Sequence, residues 1–296
     1  MSKLQGRIYA LAQRQNELAM MIGACTALRI THFRLGDFET SGQYVKQGLD
    51  VWRSGGAQSA PEEVDVPAGA CLCYDALLKW HSGETASANA AIEEAISQAK
   101  ELNDMHGLAV ALLIAAILAQ AGKPAEAERL ASEVIELSTR QNFAQWLAAG
   151  VILRGWARSV LGNTTEGIAC IEDGIRDYRA TGAIMGVPYY LALKAEALHL
   201  ANRTPEALAA IKEAEALVEK YEQYSMRSWL HRLRGMVLAA IGGEEAQIEA
   251  SFQEAIRIAR EQKLISAEKC AEATYAEYRR QKASGLGGRG FRLPVS

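Results

Sequence analysis

Along nearly the whole chain, apolar and small residues return every three or four positions, the period of a helix with one buried side. The segment Phe143 to Gly182 shows the unit. Its first helix, near Ala144 to Leu161, carries Leu147, Val151, Gly155 and Arg158 on one side. Gly162-Asn163 then interrupts the pattern, because glycine accepts the left-handed conformation that ends a helix. Thr164 or Thr165 can cap a second helix, and Glu166 in its first turn suits the macrodipole. Gly167, Ile171, Gly174 and Ile175 line the buried side of that helix, which stops near Gly182.

The unit repeats. Turn residues recur at Gly36, Gly83, Gly122, Gly162, Asn202 and Gly242, with gaps of 47, 39, 40, 40 and 40 residues. In step with them, the following helices carry Gly48, Ala95, Val134, Gly174, Ala214 and Ala255. Small–large–small triplets such as Ala88, Ile92, Ala95 and Ala207, Ile211, Ala214 let two helices approach while the large residue fills the groove. Ile248, Phe252 and Ala255 hold the same place in the last unit. A beat of about forty residues with a helix on each side of the turn predicts a stacked helical-hairpin array. The expected fold is all-α: a right-handed superhelical solenoid of about six tetratricopeptide-like hairpins. They fall at about 16–53, 68–103, 104–141, 143–182, 184–222 and 224–263. HEAT-like repeats share this period; the recurring triplets favour the tetratricopeptide form.

Three segments stand outside the beat. Ser54 to Pro67 (SGGAQSAPEEVDVP), rich in Gly, Ser and Pro, predicts an enlarged connector and accounts for the long first gap. A helix over 266–282, with Cys270, Tyr275 and Tyr278, predicts a cap on the sixth hairpin. The glycine-rich tail, 283–296, predicts a flexible end.

Composition narrows the functional classes. With 49% apolar and 23% charged residues, a net charge of −3 and a pI near 6.0, the chain has no broad basic field for nucleic acid or an anionic membrane. The longest apolar run, Leu108 to Ala119, has 12 residues, against the roughly 20 that span a bilayer. Met1 to Gln15 lacks the apolar core of a secretion signal, so a cytoplasmic location is expected. Cys25, Cys71, Cys73, Cys170 and Cys270 are odd in number and scattered, which predicts free packed thiols. Cys71 and Cys73 point about 200° apart on a helix and complete no tetrahedral metal site.

Catalytic signatures are missing. Gly285 to Gly290 (GLGGRG) lacks the Lys-Ser/Thr ending of a phosphate loop and follows a helix rather than a strand. His32, His81, His106, His199 and His231 fall in different units. Neither a nucleophile elbow nor a paired-histidine metal motif is present. The expectation is a protein that is not an enzyme and holds neither cofactor nor metal.

In tetratricopeptide solenoids the first helices line the concave surface. Transferring that geometry puts Phe33, Cys73, Trp80, Leu112, Ile152, Trp156, Tyr189, Glu196, His199, Trp229, Arg232 and Met236 inward. The candidate partner-binding groove is Trp80, Trp156, Tyr189, Glu196, His199, Trp229 and Arg232, aromatics with occasional charges as peptide-recognising surfaces use. The alternative for the tryptophans is packing between neighbouring hairpins.

Longer strings carry a more specific likeness. PAGACLCYDALLKW (Pro67 to Trp80), WLAAGVILRGWARSVLG (Trp146 to Gly162), YRATGAIMGVPYYLAL (Tyr178 to Leu193), LHRLRG (Leu230 to Gly235) and ASFQEAIRIAREQK (Ala250 to Lys263) together resemble one family. It is the C-terminal tetratricopeptide region of bacterial adenylate/guanylate cyclases with an AAA-type ATPase module. HSGETASA (His81 to Ala88) departs from the longer turn of that family. The resemblance implies a detached or truncated interaction arm with a protein or peptide partner, the ATPase or cyclase module itself being one candidate. A small-molecule-sensing arm is the alternative, with Glu196, His199 and Arg232 as polar anchors. Cyclase activity would be only a label inherited from longer relatives.

Overall fold

In the computed structural model, residues 17–55 and 61–284 are described, with a few positions between 7 and 14; the side chains of 55 and 61–65 are not. The described elements are helical and alternate in two roles. First helices are α1 (Leu18–Arg34), α3 (Pro61–His81), α5 (Met105–Ala119), α7 (Ala144–Val160), α9 (Val187–Leu200) and α11 (Arg227–Ile241). Second helices are α2 (Phe38–Gly55), α4 (Thr85–Glu101), α6 (Pro124–Gln141), α8 (Thr164–Ala180), α10 (Thr204–Tyr221) and α12 (Glu245–Glu261). A 3₁₀ turn (Tyr224–Met226) precedes α11, and α13 (Ile265–Ala283) ends the described chain. Each first helix packs antiparallel on its second helix and also touches the first helix of the next hairpin, which makes an all-α solenoid.

The beat read from the sequence has a single physical cause. Gly36, Gly83, Gly122, Gly162, Asn202 and Gly242 all adopt positive φ, between 59° and 106°, where most side chains are strained. A second series marks the turns between hairpins: Asn103, Asn142, Gly182, Glu222 and Lys263, with φ from 52° to 81°. Glutamate tolerates this region poorly, and Glu222 is exposed with φ of 52°. Glu222→Gly should therefore raise stability by up to about 1 kcal/mol, read as a higher urea midpoint at unchanged slope.

Close approach within hairpins comes from glycine. A Cβ on Gly155 would lie 2.6 Å from the carbonyl oxygen of Gly167, and one on Gly174 would lie 3.0 Å from that of Ala148. The apolar run Leu108 to Ala119 is α5, buried on nearly every side between its neighbours. This is a core helix, and among the described residues no helix is long and apolar enough to cross a membrane.

The expected connector at Ser54 to Pro67 is corrected. α2 continues to Gly55 and α3 begins at Pro61, with Pro67 inside it. Proline at a helix start forfeits no hydrogen bond. Ala68, Cys71 and Leu72, fully buried just beyond, favour extending the helix despite Pro67. The extra residues of the first gap thus lengthen α3. Residues 56–60 and the tail 285–296 lie outside the described residues.

The solenoid returns onto itself. Arg34 Nη2 donates to the Tyr221 carbonyl at 2.7 Å, and Ser266 Oγ donates to the Trp80 carbonyl at 2.5 Å. Lys263 pairs with Glu39 at 2.6 Å, while Phe38, Ala259 and Leu264 form a small apolar cluster. The turns at Gly36 and Gly83 are thereby covered by Gln262 and Ile265, whereas Gly122 and Gly162 face open space. Identical local turns have different surroundings because the last hairpins pack back against the first two.

Candidate functional site: the inner wall

Because the first helices touch side by side, their inward residues meet across the axis. Trp156 on α7 is only 5% exposed, and its Nε1 donates to Glu196 Oε2 on α9 at 2.8 Å. Tyr189, at the start of α9, donates its hydroxyl to Gln120 Oε1 at 2.5 Å. Its ring lies 5.5 Å from that of Trp229 on α11 and 5.4 Å from that of Tyr190. Burial, aided by the charge of Glu196, holds the Tyr189 hydroxyl well above the usual phenol range, so it is a neutral donor.

Arg232 on α11 is buried, with Nη1 3.3 Å from Met236 Sδ and 3.5 Å from Thr274 Oγ1 on α13. His199 is buried in the last turn of α9. Trp80 stands apart, half-buried at the seam and edge-on to His81 at 4.9 Å. Of the seven candidates, Trp156 thus pairs with Glu196 and Tyr189 with Trp229, whereas Arg232 turns toward α13.

The open groove drawn from the sequence is not what the packing produces. Cys73, Leu112, Ile152 and Met236, also expected inward, are buried against neighbouring helices. So are Trp156, His199 and Arg232, leaving Trp80, Tyr189, Glu196 and Trp229 half-exposed. The physical reason is that each first helix packs on its own second helix and on the neighbouring first helices, and these contacts enclose side chains expected to face a groove.

Charge distinguishes the wall from the outside. On outer helices, arginines sit between glutamates one turn away: Arg129 with Glu126 and Glu133, Arg257 with Glu254 and Glu261. Glu196 and Arg232 take part in no ion pair among the described residues. One accepts an indole N–H, the other meets a thioether and a hydroxyl.

Sequence reasoning missed Gln120 and Arg29. Gln120 stands two residues before Gly122, as Arg34 and His81 stand before Gly36 and Gly83, so the beat could have located it. Arg29, 3% exposed, lies 3.8 Å over the Tyr74 ring, a cation–π contact without a local motif.

Elsewhere the chemistry is quiet. A cavity of about 100 Å³ between α3, α4 and α5 is lined by Cys73, Gln98, Leu102, Asp104, His106 and Val110. Ligand sites commonly exceed about 300 Å³. The five cysteines are free, and burial pushes the thiols of Cys25 and Cys73 up to about 12. No cluster of metal-ligating residues occurs among the described residues.

Stacked hairpins with left-handed turns and small–large–small seams define a tetratricopeptide-like repeat domain. The family described as "ANAPC5: Anaphase-promoting complex subunit 5" matches residues 30–122 and 219–277, just over half of the chain, and the chain belongs to that family. An uncharacterized protein of Rhizobium meliloti (strain 1021) is 24% identical over 260 residues, 86% of this chain. The chain spans only 25% of that relative's length. Among solved structures, aspartyl phosphate phosphatase F from Bacillus subtilis aligns with a TM-score of 0.53 at 10% identity, over 96% of this chain and 77% of that one. At that identity the likeness concerns the fold alone.

Proposed function

We propose that this chain is a non-catalytic protein-interaction scaffold whose inner wall receives a segment of a protein partner. The observation that carries the reading is the pair Glu196 and Arg232. They are opposite charges on adjacent inner helices, each without an ion-pair partner among the described residues. Burying a charge without a counter-charge is costly, and a peptide with both signs of charge would supply the missing partners. Half-exposed Tyr189 and Trp229 beside Glu196 offer the aromatic surface that anchors such segments.

The finer reading is a regulatory arm of a bacterial signalling protein related to the cyclase–ATPase family. The five strings from Pro67 to Lys263 support it, as does the alignment to a quarter of a much longer bacterial relative. The name of the matched family, a subunit of a larger complex, points the same way, toward assembly rather than chemistry.

Photo-crosslinking in cells, with the probe at Trp229, tests the proposal. Protein adducts should appear with the wild-type chain and fall at least tenfold with Glu196→Lys. Adducts unaffected by Glu196→Lys, or none at all, would refute the inner wall as the binding surface. Cyclic-nucleotide synthesis by the purified chain would overturn the non-catalytic reading.

A further inference from the structure

Among the described residues, the seam is where the last hairpins meet the first, and its contacts differ from those between neighbouring hairpins. Hairpin neighbours share a continuous apolar core running from Val45 to Tyr278. The seam has its own small cluster of Phe38, Ala259 and Leu264, linked to that core only through half-buried Phe33 and Leu78. Around it lie single side-chain bonds to backbone carbonyls, from Arg34 to Tyr221 and from Ser266 to Trp80. Gln262 Nε2, donating to the Tyr224 carbonyl at 3.1 Å, braces the returning edge. The Lys263–Glu39 pair is 70% and 62% exposed and therefore contributes little. In a repeat array each hairpin is stabilised by its immediate neighbours, so losing the seam leaves the other interfaces intact.

The seam also governs access. Trp80, one of the inward aromatics, gives its carbonyl to Ser266 and its ring to His81, and His81 packs on Phe38 at 5.2 Å. α13, which supplies Thr274 to Arg232, begins at the seam with Ile265 and touches α3. The element that shuts the ring thus also covers part of the inner wall.

We propose that this seam is a clasp: the ring opens between the turns at Gly36 and Gly83 and the turns at 221–226 and 262–266, admitting a partner segment to the inner wall. The hairpins stay folded while it opens. Its purpose rests on the scaffold reading above; its mechanics do not.

Two variants of the full chain test it, in a Cys270→Ser background that removes the exposed thiol. Glu39→Cys with Lys263→Cys locks the seam on oxidation. Phe38→Ser with Leu264→Ser weakens it, and Arg34→Glu with Lys263→Glu weakens it without touching the apolar cluster. Small-angle scattering should give the locked chain a radius of gyration near the roughly 19 Å of a compact chain of this length. Either weakened chain should be larger, at unchanged far-ultraviolet circular dichroism. Equal radii in locked and weakened chains would overturn the clasp, as would loss of helicity in both weakened chains, since the seam would then be part of the folding core. Crosslinking at Trp229 adds the functional arm: adducts lost on oxidation and restored by reductant support gating. Expansion without any adduct would leave the clasp standing and refute the scaffold reading instead.

Discussion

Gly167→Ala should lower the stability of this protein by about 2 kcal/mol, although the same substitution in an exposed helix stabilises by up to about 1 kcal/mol. The cause is backbone proximity in the fourth hairpin. A Cβ at Gly167 would collide with the Gly155 carbonyl oxygen and Ser159 Oγ, and would lie 2.9 Å from the Ser159 nitrogen. Ser159 Oγ already donates to the Gly155 carbonyl at 2.9 Å, so it has little freedom to withdraw. Backbone atoms of α7 and α8 would have to separate, opening contacts on both sides of the methyl group. Gly23 on α1 is the internal control, since a Cβ there meets nothing within 4 Å and the residue is exposed. Gly23→Ala should shift the urea midpoint upward and Gly167→Ala downward, at similar slopes. Equal shifts in the two variants would contradict the packing described for this hairpin.

Acid should destabilise the chain through His81, by roughly 2 kcal/mol between pH 7 and pH 5. His81 packs against Phe38 at 5.2 Å, Trp80 at 4.9 Å and Phe33 at 6.1 Å, and its Nδ1 has no hydrogen-bond partner. Burial lowers its pKa from 6.5 to about 4. The sign follows from the order of the two values. Between them the unfolded chain binds the proton and the folded chain does not, so stability is full above about pH 6.5 and declines toward pH 4. His231 is shifted in the same direction by burial, so the measured quantity should be the difference between wild type and His81→Gln. That difference should grow steadily from pH 7 to pH 5. Parallel pH profiles for the two proteins would show that His81 is not neutral and packed as described.

These expectations separate what local sequence encodes from what packing decides. The six turn residues were legible because left-handed backbone selects glycine and asparagine, and composition records that selection. The turns at Glu222 and Lys263 escaped notice for the same reason inverted: they adopt the conformation with residues that do not advertise it. Ser54 to Pro67 misled because glycine, serine and proline mark breaks on average, whereas Pro61 stands where a helix tolerates it. Gly155 and Gly174 were read correctly as points of close approach, since only a missing side chain permits that distance.

The inner wall was legible in part. Periodicity assigned Trp156, Glu196, Tyr189 and Trp229 to one side of their helices, and the structure pairs Trp156 with Glu196 and Tyr189 with Trp229. It did not show that Trp156, His199 and Arg232 would be buried. By itself, then, the sequence determined the helices, most of their turns and the repeat, because each depends on residues within one hairpin. Only the tertiary structure decided that the array closes at Gly36 and Gly83 and that Trp156, His199 and Arg232 are buried. Closure is the sum of small rotations over six hairpins, and such a sum is recorded in no single residue.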